Sequence, residues 1–267
     1  MAMHVEKDVA TYLMDRGAIC YRHIEYSRNR LKPLDVPEDT ECILVIGGDG
    51  TILNAATKVI GRNIPILGIN MGTLGFLAEI PISEINHTLD QLLADDYQIE
   101  KRSMLSCQVY RDGICIESYM ALNDIVLAKS AYTSVIGLNV SINETEIESY
   151  YADGVIVCTP TGSTAYNLSA GGPIINPTCK NFVLTPICPH SLTTRSVVLA
   201  KDDVITIGIM DRSSGRVGPD PVILYDGRIG LELHGGDQVR VQVASEYTPF
   251  IKMTQVSFAK ILKEKMC

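Results

Sequence analysis

Asp49 stands alone among glycines in Gly47-Gly48-Asp49-Gly50-Thr51. Glycines where a strand ends and a helix begins leave backbone N–H groups unscreened by any Cβ. The helix terminus adds positive potential, so Gly47, Gly48, Gly50 and Thr51 follow the general recipe for holding phosphate. A carboxylate in that company is repelled by phosphate unless it holds a cation or takes a proton, and Asp49 therefore points to chemistry. The turn is not a Walker loop, because no Gly-x-x-x-x-Gly-Lys-Ser/Thr occurs. It is not the Rossmann fingerprint either, because Leu53 stands where the third glycine belongs. The plain structural alternative is a tight strand-to-helix turn with Asp49 as an exposed cap.

A second stretch, Asp153–Pro173, is dense in hydroxyls and glycines. Thr159, Thr161, Ser163, Thr164 and Ser169 offer neutral donors and acceptors suited to a ribose or a purine edge. Pro160, Gly162, Gly171, Gly172 and Pro173 would fix an unusual backbone path. The alternative is an elaborate surface loop with caps.

The elements that must position these residues follow from periodicity. Cys42–Ile46 reads as a buried strand, and Ile52, Ala55, Ala56, Val59 and Ile60 fall on one face of a helix after the glycine turn. Before it come a helix over Glu6–Arg16 closed by Gly17, a strand over Ala18–Ile24 and a polar loop over Ser27–Thr40. After it come a buried strand over Ile64–Ile69 and a helix capped by Ser83, with Ile85, Leu89, Leu92 and Leu93 inward. Alternating strands and helices over residues 1–97 predict an α/β domain with a parallel sheet. From Gln98 the period becomes two, with Arg111-Asp112-Gly113, Asp153-Gly154, Asp226-Gly227 and Gly235-Gly236-Asp237 as turns. Residues 98–247 therefore form a β-rich second domain. Residues 248–267 revert to a more helical pattern and are expected to pack back on the first domain, with ligand held where the domains meet.

Composition bounds the function. The 267 residues, 46% hydrophobic and 20% charged, describe a folded globular chain. A net charge of −8 argues against nucleic acid and acidic membranes as partners. No apolar run approaches the roughly 20 residues that span a bilayer, and no signal peptide is evident, so a soluble, cytoplasmic protein is expected. The eight cysteines are scattered and read as reduced core thiols. Cys188-x-His190 is too sparse for zinc, and no residue is directly identified as a metal ligand. His190 reads as structural, His4, His23, His87 and His234 as surface or turn residues, and Tyr150 and Tyr151 as either base-stacking or buried.

The chain resembles the NAD kinases through GGDGT at Gly47–Thr51, GINMGTLGFL at Gly68–Leu77, ALNDIVL at Ala121–Leu127, DGVIVCTPTGSTAYNLSAGGPI at Asp153–Ile174 and PICPHSLTTRSVVL at Pro186–Leu199. These blocks span most of the chain in order, and the Asp153–Ile174 block is the most specific. The resemblance implies a kinase that moves a phosphoryl group from ATP or polyphosphate to the adenosine ribose 2′-hydroxyl of NAD. Asp49 would accept the hydroxyl proton while Gly47, Gly48, Gly50 and Thr51 hold the nucleotide phosphates. Mg²⁺ or another divalent cation would ride on the donor phosphates. Asn123 and Asp124 match the family's Asn-Glu pair, which contacts NAD. Asp153 matches an acid near the nicotinamide, often reached across a subunit interface. Thr164, Ala165, Tyr166 and Ser169 would line the dinucleotide site, with Thr161 near adenine, Phe76 against the ligand and Asp226 on the second-domain wall. A homodimer or homotetramer is implied.

The sequence departs from the family in three places. It opens into a helix where relatives begin with an extra glycine-bearing strand, which predicts a shorter sheet or a more exposed donor side. Asp124 replaces Glu, one methylene shorter. Ser196 replaces a proline after Arg195. The alternatives are a lipid or sugar kinase, which would leave Thr159–Pro173 unexplained, and a non-catalytic NAD(P)-binding sensor.

Overall fold

A computed structural model describes residues 2–22, 36–72, 75–130, 135–191, 193–211, 220–253 and 257–266. Three parallel strands organise the first part of the chain: β1 (Ile43–Gly47), β2 (Ile66–Asn70) and β3 (Ile80–Pro81). β1 and β2 run in register from Ile43 opposite Ile66 to Gly47 opposite Asn70, so the glycine end of β1 lies beside Asn70. Every residue of β2 is buried, as expected of a parallel strand covered on both faces. Helix α1 (Ala2–Met14) buries Val9 and Leu13 against Leu89 of α3 (Ile85–Leu93), with Leu44 and Ile46 of β1 alongside. Helix α2 (Asp49–Lys58) follows β1 directly and buries Ile52 and Ala56. Gly17, at φ +92°, closes α1 as predicted, and the Ala18 N–H bonds back to the Leu13 carbonyl.

By contacts the chain divides into two units, Met1–Lys101 with Thr248–Cys267, and Arg102–Tyr247. The second is a two-sheet sandwich. One sheet is antiparallel in the order β11 (Val197–Leu199), β10 (Phe182–Ile187), β9 (Gly154–Cys158), β6 (Asp124–Lys129), β13 (Pro221–Tyr225), β14 (Arg228–Glu232). The other carries β8 (Thr145–Ala152), β7 (Ile136–Ile142), β12 (Val204–Ile209) and the first part of β15 (Gln238–Lys252). A hairpin of β4 (Gln98–Arg111) and β5 (Ile114–Ala121) turns at Asp112 and Gly113, both at positive φ. Alternate residues of these strands, among them Leu105, Ile125, Leu138, Val157, Phe182 and Val241, make one core between the faces. β9 is buried at all five positions because its other face, Ile156 and Cys158, is covered by Ala170 of the hydroxyl-rich stretch and by Ile175 just after it.

Several local expectations need correction. Residues 18–22 are irregular rather than a strand, while His23 and Ile24, and most of the Ser27–Thr40 loop, lie outside the described residues. Ser83 does not cap α3. It lies inside a 3₁₀ turn, Ile82–Glu84, and the Ile85 N–H bonds the Ile82 carbonyl, so the chain winds into α3 without a side-chain cap. The strand β15 runs on to Lys252, with Phe250 opposite Ile66, before helix α5 (Phe258–Met266) begins. Phe250 and Ile251 are buried as a parallel neighbour of β2 must be. β8 was not evident in sequence because Asn143 and Glu144 turn the chain at φ 48° and 68° without a glycine. The seven described cysteines are free, but only Cys107 and Cys158 are buried, and Cys115, Cys179 and Cys188 are exposed. Among the described residues no helix is long and apolar enough to cross a membrane.

Candidate active site

Asp49 is the first residue of α2, directly after β1, and the helix starts with no side-chain cap at Gly48. Its carboxylate turns instead toward the segment after β2. Oδ2 accepts the Phe76 N–H at 2.8 Å, and Oδ1 accepts those of Leu77 at 3.1 Å and Ala78 at 3.0 Å. An ionised carboxylate offers about four acceptor positions, so three are filled and the remaining one is on Oδ2. The turn making these bonds is itself closed: the Gly75 N–H and the Asn70 Nδ2 both donate to the Ala78 carbonyl, at 3.2 and 3.3 Å. Asn70 also accepts the Gly72 N–H at 2.8 Å, and its side chain is buried.

The glycines around Asp49 are not equivalent. A Cβ on Gly47 would lie 2.5 Å from Thr51 Oγ1, so this glycine lets the first turn of α2 pack on the end of β1. Among the described residues, Gly48 and Gly50 have no atom beyond their chain neighbours and the helix backbone within 4 Å of where a Cβ would stand. Open space beside N–H groups at a helix start is what a phosphate needs.

The second unit gathers another set. Asp226, at φ 47° on the tip between β13 and β14, accepts the N–H groups of Leu122 at 2.9 Å, Asn123 at 2.7 Å and Asp124 at 3.3 Å. Its own N–H returns to the Asp124 carbonyl at 3.0 Å. Thr159 joins the same turn, its N–H on the Asn123 carbonyl and its Oγ1 on the Leu122 carbonyl at 2.6 Å. Gly162 packs on Asn123 so closely that a Cβ would lie 2.2 Å from the Asn123 oxygen. Arg102, 3% exposed, donates to Thr161 Oγ1 at 3.3 Å. Thr164 Oγ1 donates to the Thr161 carbonyl at 3.3 Å, so Asn123, Asp124, Thr161, Thr164 and Asp226 are together. Burial, then the nearby Asp226, pushes the Asp124 carboxyl up to about 7. Burial also raises Asp226, opposed by its three N–H donors.

Beyond Thr164 the chain turns on, with the Ala165 N–H on the Gly162 carbonyl. Ala165, Tyr166 and Ser169 flank or form the short α4 (Tyr166–Ser169), with Tyr166 exposed. The buried Asn167 holds that turn by donating to the Ser163 and Pro173 carbonyls and accepting from Thr185. Asp153 precedes β9, whose far end, Cys158, pairs with Asp124, so about five residues at ~3.3 Å each separate it from the Asn123 turn. There it pairs with Lys129 at 2.6 Å. Phe76, in the first unit, has Phe258 at 6.4 Å and the Lys265 ammonium 4.8 Å from its ring centre. His190 donates its N–H to the Tyr151 carbonyl, Tyr150 is buried, and His234 pairs with Asp220. Sequence reading did not single out the Phe76–Ala78 amides, Gly75 or Arg102. The signal for the first two was the glycine before Phe76, which is informative only once Asp49 is known to approach it.

A backbone-pinned acid at a bare helix start, in a chain that also holds a hydroxyl-lined turn, has the build of a phosphotransferase that handles nucleotides. Residues 5–97 match the ATP-NAD kinase N-terminal domain family and residues 122–253 the ATP-NAD kinase C-terminal domain family. The chain is 40% identical to the NAD kinase of Lachnospira eligens over 97% of this chain and 94% of that one. It is 44% identical to the NAD kinase of Koribacter versatilis over 85% and 77%. Yeast NADH kinase, solved with NADH, matches with a TM-score of 0.78 at 29% identity, over 86% of this chain and 68% of that one. An NAD kinase from Archaeoglobus fulgidus, solved with ATP, matches the fold with a TM-score of 0.78 over 98% and 95%, at 23% identity. The chain belongs to the NAD kinase family, and neither a lipid or sugar kinase nor a non-catalytic sensor is favoured.

Proposed function

We propose that this chain transfers the terminal phosphoryl group of ATP to the adenosine ribose 2′-hydroxyl of NAD, giving NADP and ADP. The observation that carries the reading is the Asp49 carboxylate, fixed by three backbone N–H groups with one acceptor position left on Oδ2. As the ribose oxygen bonds to the terminal phosphorus and the bond to ADP breaks, the hydroxyl proton passes to Oδ2 and then to water. Gly47, Gly48, Gly50 and Thr51 serve the donor phosphates through the start of α2. Asn123, Asp124, Thr161, Thr164, Ala165, Tyr166 and Ser169 bind NAD. Asp226 supports them, and Phe76 packs on the ligand. A shorter acid at 124 suits a site where burial favours the protonated form, which donates a hydrogen bond rather than accepting one.

Asp153 lies at the far end of β9 from that turn, and we assign it to NAD held by another copy of the chain, in a homodimer or homotetramer. Among the described residues no three His, Cys, Asp or Glu side chains form a metal-binding group. Mg²⁺ or another divalent cation would be carried in on the donor's phosphates, where it neutralises their charge. Polyphosphate is a second donor to test. A cytoplasmic setting follows from the substrates.

The test is NADP formation from NAD, ATP and Mg²⁺ by purified protein, with polyphosphate as a second arm and Asp49→Asn as control. NADP formation that falls by about 10²-fold or more in the variant, with NAD binding by calorimetry kept, supports the reading. Unchanged turnover overturns the role of Asp49.

A further inference from the structure

We propose that Gly75 is a positioning residue for phosphoryl transfer: its missing Cβ is what allows the Gly75–Ala78 turn to close on the Asp49 carboxylate. The proposal rests on the reading of Asp49 as the proton acceptor.

A Cβ on Gly75 would lie 1.9 Å from Asp49 Oδ1, 2.7 Å from Cγ and 3.0 Å from Oδ2. These are the three atoms of one carboxyl group, and they are the nearest atoms to the position. The space is reserved for Asp49.

The turn has little slack with which to absorb an added methyl. Its ends are tied by Gly75 N–H and Asn70 Nδ2 on the Ala78 carbonyl, and Asn70 is anchored again at Gly72. Toward β2 the turn is already against the backbone. A Cβ on Gly68 would meet the Leu77 oxygen at 3.1 Å and the Ala78 Cα at 3.2 Å. An alanine at 75 is therefore accommodated by the carboxylate, which rotates away from the Phe76, Leu77 and Ala78 amides and takes Oδ2 out of its fixed place. Displacement of a catalytic group by about 1 Å is enough to cost on the order of 10²-fold in rate.

The experiment compares kcat and KM for NADP formation, NAD affinity by calorimetry and melting temperature across Gly75→Ala, Gly72→Ala, Asp49→Asn and the Gly75→Ala/Asp49→Asn double variant. Gly72 lies in the same segment and, among the described residues beyond its chain neighbours, nothing stands within 4 Å of its Cβ position, so Gly72→Ala controls for the loss of a glycine as such. Gly75→Ala should lower kcat by about 10- to 100-fold with NAD affinity within about threefold. Gly72→Ala should keep kcat within about threefold. In the Asp49→Asn background Gly75→Ala should cost less than about threefold more, because residues acting through one another are not additive. The proposal is overturned by a Gly75→Ala kcat within threefold of wild type, by equal losses at Gly72 and Gly75, or by a full further loss in the double variant. Normal turnover of Asp49→Asn brings down the reading of Asp49, and Gly75 with it. If Gly75→Ala does not fold, Asn70→Ala loosens the same turn without adding an atom beside Asp49. Its kcat must then fall with NAD affinity kept, and a kcat within threefold of wild type overturns the proposal.

Discussion

Asp49 and Asp226 use one device in two units of the molecule. Each carboxylate accepts three consecutive backbone N–H groups, Phe76–Leu77–Ala78 in one case and Leu122–Asn123–Asp124 in the other. Each fixes a turn whose amides would otherwise lack partners. The difference lies in the surroundings. Asp49 is partly exposed and heads a helix, where a negative charge is favoured. Asp226 is 8% exposed, on a hairpin tip, with the 5%-exposed Asp124 beside it. Hydrogen-bond geometry alone does not separate a reacting carboxylate from a structural one; solvent access and neighbouring charge do.

Swapping each acid should therefore fail differently. Asp49→Asn is expected to have the largest effect on turnover, a fall of 10²-fold or more, equivalent to about 2.7 kcal/mol of barrier. Urea unfolding should register it less than the loss at Asp226, because the amide oxygen keeps one or two of the three N–H groups and water can reach the rest at this partly exposed site. Asp226→Ala reverses the pattern. It strips three N–H groups of their acceptor in a buried turn, and a loss of about 2–3 kcal/mol of stability is expected by urea titration. NAD affinity should fall with it, since Asn123 and Asp124 lose the support that shapes their backbone, while kcat at saturating NAD falls less. An Asp226→Ala protein of unchanged stability whose kcat has collapsed would erase the distinction between the two acids.

How far this could be read from sequence depends on the range of the contacts. The glycine turn at 47–51, the parallel strands and the change to period two at Gln98 are local patterns, and β1, α2, β2 and the β4–β5 hairpin formed where periodicity put them. Ser83 misled because a residue type that favours caps fell inside a 3₁₀ turn. Thr248–Lys252 misled because its short apolar run fits helix and strand alike until β2 is seen beside it. The partners of Asp49 lie 27 to 29 residues away, and those of Asp226 more than 100. No spacing rule spans such distances. Gly47, Gly48 and Gly50 were read as sites for a ligand's approach, yet Gly47 makes room for Thr51 of the same chain, as Gly162, read only as fixing the backbone path, does for Asn123 and Gly75 for Asp49. Of the three, Gly48 and Gly50 keep, among the described residues, the open space that the phosphate reading requires.

The smallest expected effect is also the sharpest test of the buried pair. Asp124 has its carboxyl pushed up to about 7, first by burial and then by Asp226, from an ordinary value of 3.8. Between those values the folded protein holds a proton that the unfolded chain has released. Stability therefore falls as pH rises through that window and levels off above it. Asparagine resembles the protonated acid in shape and cannot ionise. Asp124→Asn should then match wild type in urea unfolding near pH 4.5 and exceed it near pH 8.5 by about 1–2 kcal/mol. If Asp124→Asn instead loses stability most at high pH, the fold favours the ionised form of Asp124 over the protonated one. The second unit would then hold a charged site like the first, and burial would have to be abandoned as the feature that tells the two acids apart.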